Sequence, residues 1–331
     1  MRLSSRLRAH KFVSSVTLAV LLTAALALIA RATTISNPVQ LGFAVAVPYT
    51  ALLSGAVSIL AILYGARILF CAGVVIVVIS TGTQIQWYYL GATPLESNSG
   101  VVVRVLASNL RKGQANPAAF LKIASGDVDV IAVSELTPSA STGLEAVGLQ
   151  DLFPYSLLRP QSGAFGIGIW SKFPLEPAVP PTQHTPRMAA AHLKIPGVRV
   201  DPLFVSVHIT SPITAESGSF QRWQESITRL RTRLNKMVPK GGPGASIVAG
   251  DFNSTPDMRQ FRDLLKDGFH DALHQTGAGW SPTFPSRSCY PPVLAIDHVL
   301  ARNAQVESVK TVVVPGSDHR ALLAEIRLPT G

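Results

Sequence analysis

Apolar residues follow two rhythms along this chain. Up to Trp87 they come as long uncharged blocks, Phe12 to Ala30, Leu41 to Ala66 (Arg67 follows) and Ile68 to Ile85. Beyond Gly100 they come as short β-branched runs that repeatedly end in a polar residue. A block of about 20 apolar residues, rising about 1.5 Å per residue as a helix, crosses the roughly 30 Å of a bilayer's hydrocarbon. None of the blocks has a polar face, which argues against core helices of a soluble protein. They predict transmembrane helices at 12–30, 41–66 and 68–85, the second kinked near Pro48, in a membrane anchor over residues 1–90. Trp87, Tyr88 and Tyr89 are expected at the headgroup belt. The first block, with Ala30-Arg31-Ala32 after it, also resembles a cleavable signal; its length beyond the usual 7–15 or so apolar residues favours a retained helix.

The second rhythm predicts a different kind of domain. Residues 91–100 read as a linker, and 101–331 as one domain large enough for a full core. Strands are expected at Val101–Ala107, Val128–Ser134, Ala164–Trp170, Arg199–Val207, Ser246–Gly250, Ala295–Leu300, Val306–Val314 and Ala321–Leu328. Asn116-Pro117 reads as a capped helix start running to about Ser125, and Pro256 opens a helix to Lys266. Phe220, Trp223, Ile227, Leu230 and Leu234 mark an amphipathic helix whose Arg222, Arg229, Arg231 and Arg233 are expected on solvated faces. Strands and helices mix without strict alternation, so an α/β sandwich of mixed sheets with helices outside is expected.

Charge sharpens the topology. The 331 residues carry a net +10, divided as +5 before residue 100 and +5 after it. In the first part the charge is concentrated in Arg2, Arg6, Arg8 and Lys11, a leader expected to hold the N-terminus in the cytoplasm. Arg31 then falls outside, Arg67 inside, and residue 90 onward outside. The basicity is thus a topology signal more than a nucleic-acid signal. Cys71 and Cys289 are too few for a disulfide framework or a zinc cluster. Cys289, in a Pro-rich loop from Ser288, reads as a loop residue, and His10 as part of the leader.

Candidate chemistry gathers where apolar strands stop, at Asn109, Glu135, His208, Asp251 with Asn253, Asp297 and Asp318 with His319. Asp251 and Asn253 would share a face if the strand continued through Phe252. Carboxylates and carboxamides suit Mg²⁺ or Mn²⁺ better than zinc. An imidazole near a metal-bound phosphate can neutralise charge or protonate a leaving oxygen. His184, His192, His270, His274 and His298 read as structural.

The stretches Leu106 to Asn109, Val133 to Leu136, Gly166 to Leu175, Ser206-Val207-His208, Gly250 to Pro256, Ile296 to Val299 and Ser317 to Ala321 stand in one order over nearly all of 101–328. Together they resemble the endonuclease/exonuclease/phosphatase superfamily, the DNase I-like fold that includes sphingomyelinases and inositol-polyphosphate phosphatases. The resemblance implies a four-layer α/β sandwich with Glu135 as the main Mg²⁺ ligand, Asn109 beside it and Asp318 contributing. It implies Asp251 as the group that orients or deprotonates the attacking water and Asn253 as a phosphate-orienting amide. His208 would contact the phosphate, and His319, polarised by Asp297, would be the second catalytic imidazole. His298 stands where the family often has Tyr, and His208 has no evident carboxylate partner, so the choice of acid between His208 and His319 stays open.

The expectation is a membrane-tethered, extracytoplasmic, Mg²⁺-dependent phosphoesterase, with a lipid headgroup or envelope glycan diester favoured as substrate because the anchor holds the site near the bilayer. A nuclease for extracellular nucleic acid, or a non-catalytic sensor on the same fold, is the alternative. The bilayer is the expected partner, and no protein partner is expected.

Overall fold

A computed structural model describes residues 2–91, 100–178, 187–214, 216–238, 242, 244–286 and 289–330, with side chains from residue 7 onward. Most of the 91–100 linker and His184 therefore lie outside the described residues. The chain forms two compact units, one of residues up to Trp87 with Pro256–Arg262, the other of Tyr88–Thr255 and Asp263–Gly331.

The first unit contains α1 (Arg2–Ala32), α2 (Pro38–Leu63) and α3 (Arg67–Tyr88). All three are long and apolar enough to cross a membrane. Asn37 caps α2, its Oδ1 accepting from Gln40 N at 3.0 Å, with Pro38 in the first turn, so the helix starts before the apolar block does. Leu22, Leu53, Ile68 and Val78 are exposed, whereas Ala27, Ala44, Ser54 and Ser80 are buried. Large apolar side chains outward and small ones inward is the pattern of helices packed in lipid.

Residues 256–262 join this unit, which the sequence reading placed wholly in the second. Asp257, 2% exposed, ion-pairs with Arg31 Nε at 2.8 Å and accepts from Gln84 Nε2 at 3.2 Å. Gln260 Nε2 donates to Ile35 O at 2.8 Å, and Arg259 Nη1 to Ala32 O at 3.1 Å. Trp87 meets Phe261 edge-on and is buried; Tyr88, the first residue of the second unit, is buried against Trp280 of that same unit. Of the three aromatics expected at a headgroup belt, Tyr89 alone is exposed. The others are taken up by protein.

The second unit is a pair of six-stranded mixed sheets. In chain order its elements are β1 (Val101–Asn109), α4 (Pro117–Ala124), β2 (Val130–Ser134), α5 (Pro138–Ala146), α6 (Leu149–Leu152), β3 (Tyr155–Arg159), β4 (Ile167–Ser171), β5 (Leu175–Pro177), β6 (Met188–Leu193), β7 (Leu203–His208), α7 (Ser219–Met237) and β8 (Ser246–Asp251). There follow α8 (Arg259–Leu265), whose residues up to Arg262 belong to the helical unit, then β9 (His270–Asp271), α9 (Ala272–Thr276), β10 (Asp297–Arg302), β11 (Gln305–Val313) and β12 (Arg320–Leu328). One sheet runs β11-β12-β1-β2-β4-β3 and the other β5-β6-β7-β8-β10-β9. The sheets face each other, Ser206 Oγ of β7 donating to Val133 O of β2 at 3.3 Å. Outside the first sheet, Phe120 of α4 and Leu144 of α5 pack with Leu106, Ile131, Val133 and Trp170. On α7 the five residues with helical spacing are all buried. The result is a four-layer α/β sandwich preceded by the apolar helices.

Candidate active site

Strand register assembles the site. His208 on β7 pairs with Asp251 on β8, and Asp251 pairs with Asp297 on β10, so three ionisable residues form one row across the second sheet. In the first sheet Asn109 pairs with Ser134, the residue before Glu135. Neighbouring strands lie about 4.8 Å apart, so each row brings its side chains within reach of one another. The two lips join where Asn109 Nδ2 donates to Asp251 Oδ2 at 2.9 Å and to Glu135 Oε1 at 3.2 Å.

Backbone turns aim the remaining groups. Glu135 has φ 58° and Asn253 φ 44°, left-handed values that cost a non-glycine residue about 1–2 kcal/mol. Glu135 is held there by Lys112 N, which donates to Oε2 at 2.6 Å, and by Leu136 N, which donates to Gly166 O at 3.1 Å. A Cβ on Gly166 would lie 1.7 Å from Leu136 O, which explains a glycine at the head of that motif. β8 ends at Asp251, so the pleat does not continue through Phe252 as the sequence suggests. Asn253 instead folds back: its N donates to Asp251 Oδ1 at 2.8 Å, and its Nδ2 to Ile209 O at 3.0 Å and Asp251 Oδ2 at 3.2 Å.

Both imidazoles face the same carboxylate. His208 Nε2 lies 3.6 Å from Asp251 Oδ2 and 3.8 Å from Glu135 Oε1. His319 Nδ1 bonds Asp297 Oδ2 at 2.9 Å, which leaves Nε2 4.0 Å from Asp251 Oδ2. Ser317 Oγ fixes the His319 loop by accepting from His319 N at 3.0 Å and donating to Asn109 O at 2.7 Å. Asp318 stands apart from the network, its carboxylate 3.8 Å from Arg111 Nε.

Burial and crowding set the protonation states. Burial, then the Asp297 charge, push Asp251 up to about 7 against the opposing pull of His319 and the Asn253 and Asn109 hydrogen bonds. Burial, with Arg187 and His319 adding positive charge, drops His208 to about 3. For His319 burial also lowers the pKa, but Asp297, with Asp251 and Asp318 behind it, outweighs burial and raises it to about 10. One imidazole is thus neutral and the other a cation near neutral pH.

The donor set fits a divalent cation. Glu135 and Asp251 are two carboxylates bridged by one amide donor, Asn109 Nδ2, standing where a hard cation would otherwise balance them. Asp251, Asp297 and His319 also offer ligand atoms within 4.8 Å of one another. The Asp297–His319 hydrogen bond commits that pair to each other, so Glu135 is the freer oxygen donor.

His298, read from the sequence as structural, is fully buried and bonds Asp271 Oδ2 through Nδ1 at 2.7 Å and Ser254 O through Nε2 at 2.9 Å, bracing the turn after Asp251 from behind. Arg187, just before β6, donates to Thr210 Oγ1 at 3.2 Å and lies 4.5 Å from the centre of the Phe165 ring. Arg222 and Arg229 are solvent-exposed, as the sequence suggests, and Arg233 is half-buried; with Arg187 and His208 they line a cavity of about 290 Å³. Their spacing of seven and four puts them on one helical stripe, a signal available in the sequence. Arg231, off that stripe, pairs with Asp267 at 2.9 Å.

Residues 103–319 match the sequence model of the Endonuclease/Exonuclease/phosphatase family. No curated protein matches the chain. Among solved structures, the 3'-5' exonuclease of Neisseria meningitidis is 18% identical, with 68% of this chain and 100% of that one covered and a TM-score of 0.53. An AP endonuclease from Archaeoglobus fulgidus is 15% identical over 67% of this chain and 98% of its own, with a TM-score of 0.55. An endonuclease/exonuclease/phosphatase from Beutenbergia cavernae DSM 12333 is 17% identical over 69% and 72%, with a TM-score of 0.53. At these identities the likeness is one of fold.

Proposed function

The chain belongs to the endonuclease/exonuclease/phosphatase family, whose members hydrolyse phosphoric esters, and from that premise we propose a membrane-tethered, Mg²⁺-dependent phosphodiesterase with its catalytic domain outside the cytoplasm. The observation that carries this is the convergence of Asn109, Glu135, His208, Asp251 and His319 on one buried lip. Asp251, raised toward neutrality, is the group to orient the attacking water and take its proton at Oδ2. Asn253, tied to Asp251 and Ile209 O, fixes the direction of that carboxylate. His319, held as a cation by Asp297, neutralises charge on a phosphoryl oxygen or protonates the leaving oxygen. His208, kept neutral by burial, turns Nε2 toward Asp251 and Glu135, where it would contact the phosphoryl group. Glu135, with Asn109 beside it, would hold the Mg²⁺, which when bound supplies Lewis-acid stabilisation of the phosphoryl charge.

The location rests on α1. Arg31 lies at the end of that helix opposite the basic leader, and it pairs with Asp257, four residues after Asn253. If the leader stays in the cytoplasm, that contact supports an extracytoplasmic catalytic segment, and a lipid headgroup or envelope diester follows from tethering there. The test is release of p-nitrophenol from bis-p-nitrophenyl phosphate by the full-length protein in detergent. Turnover should require Mg²⁺ and cease with chelator; no turnover, or turnover indifferent to chelator, would sink the reading. Faster hydrolysis of single-stranded DNA than of glycerophosphodiesters would turn it into a nuclease.

A further inference from the structure

The cavity beside His208 is chemically two-sided. Its lining combines apolar Phe165 and Leu230 with Arg187, just before β6, and Arg222, Arg229 and Arg233 from α7. Glu225 is the one carboxylate in that lining. Arg187 is half-buried, and among the described residues no carboxylate lies within ion-pairing distance of it; it is held by Thr210 and backed by Phe165. Such a guanidinium is fixed, partly desolvated and still has donors to spend. Arg222 and Arg229 are paired with Glu216 at 2.9 Å and Glu225 at 3.1 Å. Both pairs are solvent-exposed, so they contribute little and yield readily to a stronger anion such as a phosphate. His208 lines the same cavity and its Nε2 lies 3.6 Å from Asp251 Oδ2, so one side chain borders both the cavity and the catalytic carboxylate.

We infer that this cavity is a second anion subsite, by which the enzyme selects substrates carrying a further phosphate group on an apolar or aromatic body next to the scissile phosphoryl. The inference rests on the phosphoesterase reading of the neighbouring site. Arg187, held by Thr210, and Arg229 with Arg233 take the second phosphate. A volume of about 290 Å³ accommodates a phosphate with part of its carrier and is too small for a folded partner. A phosphorylated lipid headgroup and a nucleotide offer the same chemistry, so the test uses both.

The full-length protein in detergent is assayed on two matched pairs. The first is thymidine 5'-(p-nitrophenyl phosphate) with and without a 3'-phosphate. The second is phosphatidylinositol against phosphatidylinositol 4-phosphate in mixed micelles. A preference in kcat/KM of tenfold or more for the doubly phosphorylated member of either pair is expected, and the pair that displays it names the source. The double variant Arg229→Ala, Arg233→Ala should reduce that preference to threefold or less, mainly through KM. Calorimetric titration with inorganic pyrophosphate in chelator reads the subsite apart from hydrolysis, and the double variant should bind at least tenfold more weakly. Hydrolysis without preference in either pair overturns the inference and leaves the phosphoesterase reading standing. Arginine-dependent pyrophosphate binding without any hydrolysis overturns the phosphoesterase reading and leaves the anion subsite.

Discussion

Asp251 Oδ2 is the most contested atom in the catalytic domain, accepting two amides and facing two imidazoles within 4.0 Å. Asp251→Asn keeps the shape of that side chain and removes its charge, so the rate on bis-p-nitrophenyl phosphate should fall by about 10²–10⁴. His319→Ala should cost a similar factor, and the double variant far less than the product, because both groups act on one transition state. Circular dichroism must remain that of the parent for these losses to count as catalytic. Glu135→Gln should flatten the dependence of rate on Mg²⁺; a variant that still saturates with Mg²⁺ at the parent rate would move the cation to Asp251, Asp297 and His319. The row His208, Asp251, Asp297 was legible because each residue ends or begins an apolar strand in a recognisable motif. The left-handed turn at Glu135 was not, since a glutamate does not announce a positive φ, whereas Asn253 is of a type that adopts one readily. Arg187 was missed as a lone arginine ahead of an alanine-rich stretch.

Elements read well where their ends are chemically marked. α4 begins after Asn116, whose Oδ1 accepts from Ala119 N at 2.9 Å, and α7 buries its helical stripe as its spacing requires. β6 gave no signal, because Met188-Ala189-Ala190-Ala191 is buried and small where β-branched residues were the cue. α5 was equally silent, being built of Pro, Ser, Ala and Gly behind a Thr137 cap. Between β7 and β8 the backbones approach so closely that a Cβ on Gly250, at φ 143°, would lie 2.1 Å from Val207 O. Gly250→Ala should therefore separate the two strands that carry His208 and Asp251, and both melting temperature and activity should fall together. His298→Ala makes a different demand on the same region. It strands the buried Asp271 carboxylate, which should cost about 3–5 kcal/mol. For a domain of this size that is a drop of roughly 6–20 °C in apparent Tm. A melt within about 2 °C of the parent would mean that water replaces the imidazole.

Across the whole chain, the division into apolar helices and a polar-edged sandwich is legible in the hydrophobic pattern alone. A reporter after Gly331 should be active as alkaline phosphatase and dark as green fluorescent protein; the reverse would place the catalytic domain in the cytoplasm and remove the case for an envelope substrate. What no local pattern could reveal is that the helical unit is finished by a segment from the far side of the sequence. Arg31 and Asp257 are 226 residues apart. At a synthesis rate of about 5–20 residues per second, Arg31 waits roughly 10–45 s for its partner. Until then, and in any chain that stops before Asp257, the guanidinium at the end of the first helix lacks that carboxylate and the helical unit lacks its last segment. Asp257→Ala should shorten the half-life of full-length protein in a pulse-chase toward that of a chain ended at Thr255, while Asp257→Glu should not.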